Sequence, residues 1–344
     1  MAVERIGVAI QGAGNVSAEH LRAYINNPTT EVVAIGSRTL AGASLKRDEM
    51  GLEADACSVY DSLPDLLANP RVDAVSICTP SELHALDTIE AAKAGKHILI
   101  EKPVAIHAGD LPKMHAAVQA ADVRTVVSFV LRWNPLVETI KALIADGAFG
   151  DPFFVQTDYW HNVVQSRYPG GGGYRRHHPM SSFLAGGCHA VDMARHLMGS
   201  DVVEVTALSY DDDPDTAAPK TTVALVKFAD GKIGKVSAGT NQWMPYVFNI
   251  DLFGPDGSIR GNKLYSRKLP GQTDFATIPT IPPDSGAVAH HPFQEEIDHF
   301  VDCIVSSSES HVNLADAINT HEVCFAAEQS SAAGGRPIRL PLSE

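Results

Sequence analysis

At 344 residues the chain exceeds what one ordinary hydrophobic core organises, so two domains are expected. Apolar residues make up 44% and charged residues 20%, as in soluble globular proteins, and a formal charge of −14 argues against nucleic acid or an anionic membrane as partner, since each wants a basic face. Five scattered cysteines without a Cys-x-x-Cys pair, no apolar run near the roughly 18–20 residues of a membrane span and no basic-then-apolar leader predict a cytoplasmic protein with reduced thiols and no zinc site.

In chain order, Ile6 to Gln11 is an apolar strand that runs into Gly12-Ala13-Gly14-Asn15-Val16-Ser17 and then a helix over Ala18 to Asn26. A strand, a glycine turn and a helix start are what a dinucleotide pyrophosphate needs: a tight turn at the first glycine, close backbone approach at the second, and N–H groups of the helix start for the phosphates. Ser17 stands at the third glycine position of the motif, so the strand–helix contact has to accept a small hydroxyl. Further buried strands are expected at Val32–Gly36, Ala74–Cys78, His97–Ile100 and Thr125–Leu131, with helices at Ala41–Met50, after the Ser62-Leu63-Pro64 cap, and at His84–Ala94. Continuous apolar strands alternating with helices predict a doubly wound parallel sheet, a Rossmann-type α/β domain with ligands at the carboxyl ends of its strands.

The second strand ends in Gly36-Ser37-Arg38, where NAD-binding folds usually carry an acidic residue for the ribose 2′-hydroxyl. A hydroxyl and a guanidinium would instead hold a 2′-phosphate, which predicts NADP, with NAD also admitted.

Val137–Ile144 reads as a connecting helix, and beyond Asp151 the texture changes. Strands at Phe153–Trp160, Val202–Tyr210, Thr222–Phe228, Lys232–Gly239 and Phe248–Phe253, with a turn at Ala229–Lys232, predict a large antiparallel sheet in an α+β domain. An open sheet leaves a face to cover, so a homo-oligomer is expected. The loop from Gln165 to Ser182 carries four glycines, then Tyr174-Arg175-Arg176-His177-His178, residues suited to closing over a polar ligand. Gly186-Gly187 precedes a helix on which His189 and Asp192 share a face. Phe275–Ser285 reads as an extended linker, and helices at Pro292–Ser306 and Leu314–Ala332 show ordinary packing stripes.

Gly12-Ala13-Gly14, Thr79-Pro80-Ser81-Glu82-Leu83-His84, Glu101-Lys102-Pro103 and Gly187-Cys188-His189-Ala190-Val191-Asp192 together resemble the Gfo/Idh/MocA family of sugar and cyclitol oxidoreductases over nearly the whole chain. The resemblance implies that Lys102 reaches the oxygen on the reacting carbon, that Glu101 lies near the nicotinamide ribose, and that His189 is the general base. It also implies a sheet with substrate on one side and subunit contacts on the other. Two of these roles agree with elementary chemistry: a cation at a strand end favours a forming alkoxide, and histidine titrates near neutrality.

The resulting expectation is a dinucleotide-binding domain over residues 1–130 and a substrate and oligomerisation domain over 131–344, with the C-terminal helix packing back on the first. The dinucleotide is assigned to Gly12, Gly14, Asn15, Val16, Ser37, Arg38, Thr79, Pro80, His84, Glu101, Lys102 and Arg132, and a sugar or polyol to Lys102, Trp160, His161, Arg176, His178, His189 and Asp192. One departure stands out: many relatives carry an aspartate four residues before the histidine, where this chain has Ala185. Asp158 or His161 would have to compensate, or the chemistry differs. Beside dehydrogenation of a secondary hydroxyl, two readings therefore stay open: glycoside cleavage or elimination through transient oxidation, and dinucleotide sensing without turnover.

Overall fold

The computed structural model describes residues 5–162, 180–210, 218–284 and 287–342, and the chain divides into two compact units, Met1–Val130 with Pro292–Ile318 and Leu131–His291 with Asn319–Glu344. In the first, strands β1 (Ile6–Gln11), β2 (Thr30–Gly36), β3 (Ser58–Tyr60), β4 (Ala74–Ile77), β5 (His97–Ile100) and β6 (Thr125–Val127) pair in the order β3-β2-β1-β4-β5-β6, every pair parallel. Val8, Ala9, Ile10, Val75, Ile98 and Leu99 are fully buried, as a parallel sheet covered on both faces requires. Helices α1 (Ser17–Asn26), α2 (Leu40–Glu49), α3 (Leu63–Leu67), α4 (His84–Lys93) and α5 (Leu111–Ala121) connect them. Ser62 caps α3 as its position suggested, accepting from the Asp65 N–H.

Three features of this unit depart from the sequence reading. The edge strand β3 and the helix α5 were not anticipated, and β6 stops at Val127, because the chain coils into a 3₁₀ turn at Val130–Trp133. A three-residue edge strand offers too little alternation to be read. A later segment, α8 (Phe293–Ser306), packs against α1 with Ile297 and Phe300 fully buried.

The second unit starts with α6 (Pro135–Ala145), capped by Asn134. Its strands are β7 (Phe154–Trp160), β8 (Val202–Tyr210), β9 (Thr221–Phe228), β10 (Ile233–Gly239), β11 (Val247–Phe253), β12 (Gly257–Arg260), β13 (Lys263–Ser266), β14 (Ala276–Thr277) and β15 (Ile338–Arg339), ordered β14-β13-β12-β11-β7-β10-β9-β8-β15. The sheet is antiparallel except where β10 runs parallel to β7. Parallel neighbours need a long crossover, supplied here by α7 (Cys188–Met198) and the β8–β9 pair. The segment expected as a linker contributes β14 at the sheet edge. One face is covered by α7; Leu208, Tyr210, Leu225 and Ile233 are exposed on the other. Among the described residues no helix is long and apolar enough to cross a membrane.

The α1–α8 contact generates a stability prediction. Phe300→Ala empties a fully buried site and should destabilise the protein by about 3–5 kcal/mol, read as a lowered midpoint in urea unfolding followed by circular dichroism.

Candidate active site

The first unit gathers its motif residues on one edge of the parallel sheet. Beyond β1 the ladder continues, with the Gly12 N–H donating to the Gly36 carbonyl at 2.8 Å and the Cys78 N–H to the Gln11 carbonyl at 2.7 Å. Gly12 has φ +108°, and a Cβ there would lie 2.5 Å from the Cys78 carbonyl, so no other residue fits. Gly14 differs: its φ is ordinary, and a Cβ would meet nothing within 4 Å. Nothing among the described residues demands glycine there, whereas a pyrophosphate approaching the backbone does, so the turn fits a dinucleotide. Buried Ser17 donates its hydroxyl to the Gly14 carbonyl at 2.6 Å, so the small hydroxyl braces the turn from within. Asn15 and Val16, the N-cap residue, lead into α1, their carbonyls accepting from the Ala18 and Glu19 N–H groups. At the end of β2, Ser37 is half-buried with its N–H on the Tyr60 carbonyl, and Arg38 is exposed.

The other two strand ends are clamped together. The His84 ring, buried, lies between the Thr79 carbonyl (Nε2, 2.8 Å) and the Pro103 carbonyl (Nδ1, 2.7 Å), tying the Thr79-Pro80 turn to the cis-linked Lys102-Pro103 turn. Thr79 also donates to Asp87, whose burial pushes its carboxyl up against that hydrogen bond. Lys102 is half-buried at the end of β5, and its backbone N–H donates to the Glu101 carboxylate at 3.2 Å. Glu101 is buried, yet the hydrogen bond and charge of His20, with Lys102 and His84, outweigh that burial and hold its carboxyl below the usual range.

In the second unit the chain enters α7 through a π-type turn at Phe183–Gly187. A Cβ on Gly186 would fall 2.2 Å from the Tyr159 ring and one on Gly187 2.8 Å from Ala238, so the glycine pair lets the helix start press onto the sheet. His189, 6% exposed in the first turn of α7, stacks on Tyr159 with ring centroids 6.1 Å apart. Tyr159 in turn meets His161 Nδ1 at 3.0 Å, and Tyr246 closes edge-on against both. Burial pushes the Tyr246 hydroxyl well up, so that ring is a neutral wall. Ala185 is the one residue of 181–195 that is not buried.

Several assignments change at this point. Pleating puts Thr157 and Tyr159 on the α7 side of β7, with Thr157 donating to the Ala190 carbonyl, and therefore Asp158 and Trp160 on the opposite side. Trp160 is not brought to the His189 face; Tyr159, which the sequence reading passed over, is. Asp158 does not compensate for Ala185 either, because it is tied to Lys235, Ser237, Gln156 and Asn249 on that opposite face. These hydrogen bonds overcome its burial and hold its carboxyl below the usual range. Arg132 and Asp192, expected on cofactor and substrate, form a buried bidentate pair (Nε–Oδ2 2.8 Å, Nη2–Oδ1 2.5 Å). Arg176 and His178 lie outside the described residues. Among the described residues no group of three or more His, Cys, Asp or Glu is placed to hold a metal ion.

Known proteins carry the same two-part pattern. The model of an oxidoreductase family described as having an NAD-binding Rossmann fold matches residues 6–129, and that of the GFO/IDH/MocA C-terminal domain matches residues 137–260. The chain is 24% identical to scyllo-inositol 2-dehydrogenase (NAD(+)) of Bacillus subtilis, covering 98% of this chain and 97% of that one. It is 27% identical to levoglucosan dehydrogenase of Pseudarthrobacter phenanthrenivorans over 80% of this chain and 77% of that protein. The crystal structure of an oxidoreductase from Agrobacterium radiobacter in complex with NAD+, L-tartaric acid and magnesium superposes with a TM-score of 0.86, covering 97% and 98% of the two chains at 23% identity, a likeness of fold.

The two glycines of the turn separate folding from binding. Gly14→Ala should leave the unfolding midpoint unchanged while weakening dinucleotide affinity in a fluorescence titration; Gly12→Ala should lose both. Asp192→Ala breaks a buried, bidentate ion pair and should cost about 3–5 kcal/mol in chemical denaturation.

Proposed function

The chain belongs to the GFO/IDH/MocA oxidoreductase family, and from that premise we propose that it oxidises a secondary hydroxyl of a sugar, sugar derivative or cyclitol, or runs the reverse reduction. The observation that carries the reading is Lys102 at the carboxyl end of β5, following a Glu101 held ionised, in a chain that also has His189 in the first turn of α7. His189 takes the hydroxyl proton, braced by the Tyr159 ring. The Lys102 ammonium stabilises the alkoxide that forms as the proton leaves. A bound nicotinamide dinucleotide supplies the acceptor for the hydride, so that the C–H bond breaks with its electron pair as the carbonyl forms. A positioned base is worth about 10²–10⁴ in rate and one oxyanion-stabilising group about 10²–10³.

Small polyols with several hydroxyls fit the polar and aromatic residues near His189, and the named relatives act on inositol and levoglucosan. NADP is proposed over NAD because β2 ends in Ser37 and an exposed Arg38 rather than a carboxylate, although the named relative uses NAD. Leu208, Tyr210, Leu225 and Ile233 on the exposed sheet face support a homo-oligomer, and five buried free cysteines a reducing, cytoplasmic setting. A second reading, cleavage of a glycoside through transient oxidation, is favoured by Ala185, which offers no carboxylate at an accessible position four residues before His189.

Nicotinamide absorbance tests this directly. With NADP or NAD and a panel of free polyols and glycosides, wild type should reduce the dinucleotide, and Lys102→Ala and His189→Ala should each lose at least about 10²-fold in kcat. Product release from a glycoside without net reduction would move the assignment to the second reading. Arg38→Ala should weaken NADP binding far more than NAD binding; equal losses would remove the NADP assignment.

A further inference from the structure

Behind Lys102, in the first unit, lies a buried polar chain that none of the motifs anticipates. His20 on α1 meets Glu101 Oε1 at 3.1 Å. The Ser128 hydroxyl, just past β6, lies 3.1 Å from the same oxygen and 3.0 Å from Oε2 of Glu296 on α8. His20 and Glu296 are fully buried, Ser128 is 1% exposed and Glu101 8%.

A serine hydroxyl has one proton and cannot donate to two carboxylates. Among the described residues, the groups that act on Glu296 are Glu101, Ser128, Tyr24 and Cys78, none of them a cation, whereas Glu101 has His20, His84 and Lys102 around it. An ionised Glu296 would be a buried anion beside another anion, which is prohibitive. One arrangement gives each of the three contacts a single proton: Glu296 is a carboxylic acid donating to Ser128, Ser128 donates to an ionised Glu101, and His20 donates to the same Glu101 oxygen. Burial and the Glu101 charge push the Glu296 carboxyl well up, in keeping with that arrangement.

We propose that Glu296 is a positioning residue: as the neutral end of a carboxylic acid–hydroxyl–carboxylate chain, it commits the Ser128 proton to Glu101 and keeps that carboxylate anionic and oriented next to Lys102. The role in turnover rests on the reading of Lys102 and Glu101 given above; the proton arrangement does not. The chain is static, and no proton along it moves during the reaction.

The test uses the full-length protein with Glu296→Gln, Glu296→Leu and Ser128→Ala. A glutamine N–H still donates to Ser128; leucine donates nothing. At neutral pH the infrared difference between wild type and Glu296→Gln should contain the carbonyl stretch of a protonated carboxylic acid. Titrated downward in pH, the Glu101 carboxylate band should protonate at a higher pH in Ser128→Ala than in Glu296→Gln, because the donor to the charged form has been lost, and by a smaller margin in Glu296→Leu, where the Ser128 hydroxyl remains but is no longer polarised and held in line by a donor of its own. In turnover, Glu296→Gln should match wild type, while Ser128→Ala loses about tenfold or more in kcat and Glu296→Leu loses less, each with the acid limb of the pH profile moved upward. Absence of the carboxylic acid band, or coincident Glu101 titrations in all three variants, overturns the proposal even if no substrate is ever turned over. A Glu296→Gln enzyme as impaired as Glu296→Leu also overturns it, since a proton would then have to move through that site. Failure of the dehydrogenase reading alone would leave the infrared results intact and remove only the activity arm. Glu296→Gln gives one further check, because wild type carries a penalty that grows as pH rises above the ordinary carboxylate range while Glu296 stays protonated in the fold. Its thermal midpoint should therefore fall less than that of wild type between mildly acidic and neutral pH; an equal fall would count against a protonated Glu296.

Discussion

All the chemistry of the first unit hangs on strand direction. Six parallel strands end on the same edge, so the turns after β1, β2, β4 and β5 become neighbours although they are separated by up to about ninety residues of sequence. That convergence leaves almost no space: Gly12 packs its bare Cα against the Cys78 carbonyl, and His84 spans two carbonyls from different turns. A dinucleotide site made this way is rigid where backbone meets backbone and open at Gly14, where a ligand has to approach.

The second unit solves a different problem, that of holding one histidine steady. Two glycines and a π-type turn bring the start of α7 against the sheet, and an aromatic wall from β7 and the turn before β11 surrounds the ring. Single π turns of this kind recur at functional sites, where they re-aim the following turn of the helix. Asp192, one turn further on, is held in a buried pair with Arg132 that ties the start of this unit to the helix that carries His189. A buried pair of this kind adds little net stability but makes the geometry costly to disturb, since breaking it leaves charge in a desolvated place.

Burial of ionisable groups recurs as the means of setting charge in both units. Glu101 and Asp158 stay ionised because donors converge on them, while Glu296 and Asp87 are pushed toward the neutral acid because burial outweighs the donors they have. Four carboxyls of similar burial thus divide into two charged and two disposed to neutrality according to their partners alone. Beside Lys102, proposed above to stabilise an alkoxide, a neighbouring charge of fixed sign sets the field in which the lysine acts.

The alternation of apolar strands with helices was enough to read a parallel sheet, and Gly12-Ala13-Gly14 and Glu101-Lys102-Pro103 could be located at its carboxyl edge, because strand periodicity and glycine stereochemistry are local properties. The five longer strands of the open second sheet were legible for the same reason; the short strands β12 to β15 were not, having two to four residues each, nor was β7 beside β10, whose parallel pairing depends on the path of the intervening chain. What residues touch across the fold was not legible. Trp160 looked the better ligand residue than Tyr159, and only the pleat of β7, set by its pairing with β10 and β11, decides which side chain stands next to His189. Glu296 sat unnoticed in a helix read as a packing stripe, since a carboxyl's partners lie about 170 and 200 residues earlier in the chain and its protonation is decided by them. Sequence determined the elements and the motif residues; tertiary structure decided which of them meet and what charge they carry there, because contact and desolvation are properties of the folded chain.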